Sequence, residues 1–307
     1  MKVLTAATRG GKLAIVQTEI VISALKKIYP DIKIKIKEIT TKGDRDRKTA
    51  LWDLKDSGFF TTQVEDALLA GQADFAVHSL KDLPVKERNG LTISAVCERQ
   101  FCEDCLVCKS KVDSITALPS FATIGTSSLR RAVQIKHLRK DLEILPIRGN
   151  VTTRIKQVAE GKFDACLLAR AGLERLGLAE KISICFDPAQ FIPAPAQGAL
   201  AVQTRCDDGD VNKLIAAIDD KATRIITYAE RQILEIMQCG CHAPVGAFAN
   251  IAGNDIMIRA FISDLQGRNF IRREITGKIE KAGELAKKIA CEMLDAGGRE
   301  ILENLKK

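Results

Sequence analysis

Over the first hundred residues, short apolar runs alternate with stretches whose apolar positions recur every three to four residues. Residues 2–7 read as a strand, 13–29 as an amphipathic helix, 32–40 as an alternating strand, 61–69 as a second helix and 73–77 as a buried strand. A β-α-β rhythm of this kind implies a mostly parallel sheet with helices on its faces. The rhythm restarts near Phe121. Residues 122–126 form a strand, Ser127 or Ser128 caps a helix running to Leu138, and 142–146 form a strand that ends at Ile147-Arg148-Gly149-Asn150. A helix with Arg154 near its start follows, and 163–169 repeats the pattern of 73–77.

The Pro/Gly/Ala segment Ile192-Pro193-Ala194-Pro195-Ala196-Gln197-Gly198-Ala199-Leu200 leads into a strand at 200–204 that returns to the first rhythm. Beyond Asp220 the pattern changes to a helix at 222–237, alternating segments at 256–263 and 269–277, and a terminal helix from Glu280. The expected fold class is therefore α/β. Two lobes like those of the periplasmic binding proteins, with mixed sheets around a cleft, precede a small α+β domain with a meander-like sheet. The expected boundaries are 1–98 with 199–218 for a discontinuous first lobe, 103–193 for the second and 222–307 for the C-terminal domain. A chain of 307 residues is long enough for this, since it exceeds what one typical core serves.

Composition narrows the function. No run of about eighteen apolar residues offers a membrane span, and the first residues enter a strand pattern without an apolar signal segment, so a cytosolic protein is expected. Ten cysteines in so long a chain then read as reduced thiols. A net charge of +8 favours an anionic partner. Aromatic residues make up only 5%, and there is no lysine-rich tail, which argues against stacking on nucleic-acid bases.

Val77-His78-Ser79-Leu80-Lys81-Asp82-Leu83-Pro84 delivers four polar side chains to the end of a buried strand, just where open α/β sheets bind ligands. A solvated polar turn is the plainer reading; the sharper one makes Asp82 a catalytic carboxylate. Arg130, Arg131 and Arg154 lie in first helical turns, where the helix dipole disfavours cations. As a set they suit a polycarboxylate or phosphate ligand. Cys97, Cys102, Cys105 and Cys108 have partly ferredoxin-like spacing, but no nearby pair completes a familiar metal site. Cys239-Gly240-Cys241-His242 follows a long helix, and its chemistry stays open between redox, metal binding and nucleophilic attack. With three histidines in the chain, a histidine-rich metal centre is not available, and His78 reads as structural.

These pieces occur in a recognisable order. Ala7-Thr8-Arg9, Thr40-Thr41-Lys42-Gly43-Asp44, His78 to Pro84, Gly125-Thr126-Ser127-Ser128-Leu129-Arg130-Arg131, Arg148-Gly149-Asn150-Val151 with Arg154, Ala171-Gly172-Leu173 with Arg175, Gln197-Gly198-Ala199 and Gly240-Cys241 together resemble the porphobilinogen deaminase family. The similarity covers essentially the whole chain. It implies a monomeric enzyme of tetrapyrrole biosynthesis that joins porphobilinogen units head to tail, releases ammonia, and yields hydroxymethylbilane.

By this resemblance Cys241 holds a dipyrromethane cofactor through a thioether, and Asp82 is the catalytic aspartate. Lys81, Asp44, Ser128, Arg130, Arg131, Arg154 and Asn150 would surround the cofactor. Arg9, Arg148, Arg175 and Gln197 would meet the substrate. Neither a metal, a nucleic acid nor a membrane partner is implied. The chain departs from the family at Ser57, where a loop lysine is usual and Lys55 lies nearby, at Gly11 in place of serine, and at Lys42 in place of arginine.

Overall fold

The computed structural model describes residues 3–41, 61–239 and 243–305. The chain divides into two compact units, parted at Gln100/Phe101, Gln197/Gly198 and Ile225/Ile226. The first unit opens with β1 (Leu4–Arg9), α1 (Lys12–Ile28), β2 (Ile34–Ile39), α2 (Thr62–Leu69), β3 (Phe75–Ser79) and β4 (Leu91–Val96). The second takes β5 (Asp104–Cys108), β6 (Thr123–Gly125), α3 (Leu129–Leu138), β7 (Glu143–Leu145), α4 (Val151–Ala159), β8 (Ala165–Ala169), α5 (Arg170–Arg175) and β9 (Ile184–Cys185). The chain re-enters the first unit as β10 (Leu200–Arg205) and α6 (Gly209–Ala216). After α7 (Lys221–Ile236) it completes the second with β11 (Val245–Ala252), β12 (Asp255–Ser263), β13 (Phe270–Lys278), α8 (Ala282–Met293) and α9 (Arg299–Asn304).

Each unit contains a five-stranded sheet, and the two sheets share one topology. The orders are β2-β1-β3-β10-β4 and β7-β6-β8-β5-β9. In both, three parallel strands come first and an antiparallel strand lies against the third. This repeated α/β plan is the lobe architecture expected from the sequence rhythm. Strand alternation explains the layers. In the first sheet Leu4, Ala6, Phe75, Val77, Leu200 and Val202 face α1 and α6. Ala7 and Ala76 turn to the other face, against Val64 and Leu68 of α2. In the second, Leu106, Ile124 and Leu167 pack with Ile135 of α3, while Val107, Cys166 and Leu168 pack with Val158 of α4.

The third sheet is an antiparallel meander, β11-β12-β13. It docks on α3 through Val133, Phe261 and Phe270, with His137 stacked on Phe270 at 4.3 Å between ring centroids. The meander and the second five-stranded sheet lie in the same compact unit. Strands β4, β5, β9 and β11 were not anticipated. The burial of β5 is continuous from Asp104 to Val107, as an interior strand requires.

Two buried polar side chains brace these layers. Glu230 on α7 has no exposure and accepts from the Ala196 N–H and the Ala249 N–H, both at 2.7 Å. Ala196 has φ of 62°, a left-handed conformation that costs a non-glycine residue on the order of 1 kcal/mol, and the Glu230 bond helps hold it there. In the first unit His78 is buried and held neutral. Burial lowers its pKa to about 4, against an opposing influence of the neighbouring Gln203 side chain and with help from the nearby charge of Arg9.

Both braces have measurable consequences. Glu230→Gln keeps one acceptor but sets an amide NH2 against a buried N–H; a loss of about 1–3 kcal/mol in chemical denaturation is expected. For His78 the unfolded chain binds a proton below about pH 6.5 while the folded chain does not until about pH 4. Stability should therefore fall as pH drops through that window, by about 3 kcal/mol in all. A His78→Gln variant should show a flatter pH dependence of its unfolding midpoint over the same range.

Candidate functional site

In the first unit the carboxyl ends of parallel strands β1 and β3 bring two groups of polar side chains together. Continuing the register in which Ala7 faces Ala76 sets Arg9 beside His78. One strand end further, Leu80 to Asp82 make a single 3-10 turn. The Leu80 N–H donates to the Ala199 carbonyl at 3.1 Å, and the Leu83 N–H returns to the Leu80 carbonyl at 3.3 Å. Leu80 and Leu83 are buried on either side of the turn, so the residues between them are turned outward: Lys81 is half-buried and Asp82 exposed. Ser79 accepts from Gln17 Nε2 of α1 at 2.9 Å, which fixes the strand end that launches the turn.

In the second unit three parallel strands end in arginine-bearing helices. β6 leads through Thr126-Ser127-Ser128 into α3 with Arg130 and Arg131. β7 leads through Arg148-Gly149-Asn150 into α4 with Arg154, and β8 runs directly into α5, whose last turn carries Arg175. The loops are tightly specified. Ser127 Oγ donates to the Ile147 carbonyl, which ties the first loop to the second. Gly149 has φ of 105°, and a Cβ there would lie 2.6 Å from the Thr153 side chain, so glycine is required on both counts. Asn150 caps α4, accepting from the Thr153 N–H at 2.8 Å. Ser128 occupies the cap position of α3 without a side-chain capping bond, which leaves its hydroxyl for other use.

Asp104 is the residue sequence reasoning missed. Lying at the start of β5 and completely buried, it accepts from Arg130 at 2.7 Å, from Arg131 Nε and Nη2 at 2.9 and 2.7 Å, and from Gln197 Nε2 at 3.0 Å. Burial disfavours its charge, but the two guanidinium groups and their hydrogen bonds win and hold its carboxyl far below the usual range. Arg130 also donates to the Ile192 carbonyl and Arg131 to the Leu167 carbonyl. Gln197 spends its amide nitrogen on the Cys102 carbonyl and Asp104, so it supports the arginines from within the core. The only sequence signal for Asp104 is an acid opening an otherwise apolar strand.

Arg154 completes the cluster. Its Nε donates to the Gly149 carbonyl at 2.8 Å. Desolvation lowers its pKa to about 10, with further lowering from the like charges of Arg131 and Arg148. Four guanidinium groups thus gather where, in the interactions described, one carboxylate is shared by two of them. An arrangement so rich in cations is built to take anions, and forked guanidinium groups suit carboxylates. The acetate and propionate groups of a dipyrromethane are carboxylates of the kind such forks bind.

The clustered cysteines are dispersed. Cys97 packs on the core of the first unit, and alternation along β5 sends Cys105 and Cys108 to opposite faces. Asp44, Lys55, Ser57 and Cys241 lie outside the described residues.

Residues 4–213 match the family model described as porphobilinogen deaminase, dipyromethane cofactor binding domain, and 225–295 match the porphobilinogen deaminase C-terminal domain. Curated proteins named porphobilinogen deaminase align over almost their full length. That of Roseiflexus sp. is 42% identical, covering 97% of this chain and 98% of its own. That of Syntrophus aciditrophicus is 41% identical, covering 97% of each. The aliphatic sulphonate binding protein SsuA of Escherichia coli superposes with a TM-score of 0.42 at 15% identity, covering 78% of this chain and 71% of that one. With both family models matched in order, the chain belongs to the porphobilinogen deaminase family.

Proposed function

We propose that the chain is a hydroxymethylbilane synthase: a transferase that condenses four porphobilinogen molecules head to tail, releases ammonia at each condensation, and frees the linear tetrapyrrole by hydrolysis. The observation that carries this reading is the cationic cluster of Arg131, Arg148 and Arg154, with Arg131 and Arg130 held by Asp104. Each pyrrole ring brings an acetate and a propionate, so a growing chain presents a series of carboxylates that such a cluster binds through paired N–H donors. A dipyrromethane on the Cys241 sulfur supplies, when bound, the electron-rich pyrrole carbon on which condensation begins.

The chain's own residues have separable tasks in this reading. Arg131, Arg148 and Arg154 take carboxylates, with Ser128 and the first N–H groups of α3 as added donors. Asn150 orders the loop that bears Arg148, and Gln197 acts through Asp104. Arg9, Lys81 and Arg175 add positive charge for further carboxylates, and Asp44 belongs with the cofactor contacts.

As the aminomethyl C–N bond of porphobilinogen breaks, ammonia leaves with the electron pair and positive charge spreads over the pyrrole ring. Asp82, presented to solvent by its buried flanking leucines, is suited to stabilise that charge and accept the pyrrole N–H hydrogen bond. When the new C–C bond forms, a proton must leave the attacked ring carbon, and the same carboxylate is suited to take it.

The working division we assign is 1–98 with 199–218, 103–193, and 222–307, supported by three separate sheets. A cytoplasmic setting is supported by nine free thiols among the described residues. No helix among the described residues is long and apolar enough to cross a membrane. Monomeric action is carried over from the family resemblance.

Two measurements test the assignment. Intact mass spectrometry of the purified protein should show an adduct of two pyrrole units that disappears in Cys241→Ser; an unmodified protein that turns over normally would exclude the thioether. Asp82→Asn should keep the adduct and lower kcat by about a hundredfold or more. Near-normal turnover in that variant would remove Asp82 from the chemistry while leaving the carboxylate cluster in place.

A further inference from the structure

Cys105 and Cys185 face one another across β5 and the edge strand β9. Their sulfurs are 3.5 Å apart. The Phe186 N–H donates to the Asp104 carbonyl at 3.0 Å, the ladder bond expected beside a non-hydrogen-bonded antiparallel pair, in which the Cα atoms come closest. That spacing falls inside the range a disulfide can bridge without backbone movement. The two thiols differ in access: Cys105 is completely buried and Cys185 is exposed at the sheet edge.

We propose that Cys105 and Cys185 form a thiol–disulfide exchange site that takes low-molecular-weight disulfides of the glutathione type and closes into an intrachain disulfide. The exposed thiol is the entry point. Cys185, as thiolate, attacks one sulfur of glutathione disulfide; the S–S bond breaks and one glutathione leaves as thiolate. Cys105 then attacks the Cys185 sulfur and forms the protein disulfide, its proton passing to the second glutathione as that leaves. Two protein thiols are oxidised as one glutathione disulfide is reduced to two glutathiones, so atoms and electrons balance.

Burial, followed by the neighbouring Cys185, raises the Cys105 pKa, which keeps it from reacting first and makes closure the slower step. The bond would tie the edge strand to the strand that carries Asp104, across a sequence separation of 80 residues. None of this depends on the reaction assigned above.

The test uses the full chain, fully reduced and then exposed to excess glutathione disulfide. After an iodoacetamide quench, peptides are mapped by mass spectrometry. The expected result is a Cys105–Cys185 cross-linked peptide pair, with loss of alkylation at both positions together. Cys105→Ala should arrest with glutathione on Cys185, and Cys185→Ser, a surface change that keeps the core intact, should leave Cys105 reduced. Glutathione persisting on Cys185 of the unaltered chain would overturn the proposal. So would full alkylation of both thiols in excess oxidant, or oxidation of Cys105 in the Cys185→Ser variant.

Discussion

A single buried carboxylate holds the second unit's functional edge in place. Asp104 has no exposure, and two guanidinium groups and an amide converge on it. Taking any one of these charges out of water alone costs several kcal/mol, and only mutual attraction with well-formed hydrogen bonds offsets that. The arrangement cannot be dismantled gradually. Without the carboxylate, two like charges would remain buried side by side; without either arginine, a buried carboxylate would lose half its compensation. Fold and site therefore share one interaction. The supports extend outward from it: Gln197 bonds to Asp104, Ala196 precedes Gln197 in a left-handed conformation, and Glu230 grips the Ala196 N–H.

The repeated sheet topology makes the chemical division between the units easier to understand. β3 and β8 occupy equivalent positions, each the third parallel strand beside an antiparallel partner. After β3 the chain makes a short turn whose leucines are buried and whose Lys81 and Asp82 point outward. After β8 it enters a helix at once, with Arg170 paired to Glu103 and Glu174. The same scaffold thus ends in an exposed carboxylate in one unit and in a guanidinium cluster, gathered from α3, α4 and the β7–α4 loop, in the other. Backbone geometry sets where ligands can be met, and the residues that follow the strands decide which chemistry is offered.

Much of this was legible in the sequence because strand and helix periods are local. Apolar alternation located β1, β3, β6, β8 and β10, and the arginines in first helical turns stood out against the dipole preference. Ordered motifs then tied them to a family. What stayed hidden was non-local. Asp104 looks like a minor acid among cysteines until β5 is laid beside β8 and its partners arrive from 26 and 27 residues away. Gln197 sits in a motif that suggested substrate contact, yet its amide nitrogen is directed into the core. Cys105 and Cys185 could not be paired from spacing, since only the β5–β9 register brings them together. Ser128 sits where a capping side chain was expected, but the cap bond is not made.

The dipole argument itself becomes sharper with the charges in view. Cations in the first turn of a helix are disfavoured by its open N–H groups, and the chain compensates for two of them internally through Asp104. Arg154 receives no such compensation in its described contacts: it bonds a backbone carbonyl and feels the like charges of Arg131 and Arg148. Its lowered pKa of about 10 still leaves it protonated at neutral pH, so it keeps its positive charge across the physiological range. A carboxylate arriving there relieves repulsion between arginines and satisfies the helix terminus in the same step. Affinity for anions at this edge thus follows from positive charge that the fold has gathered at helix N-termini.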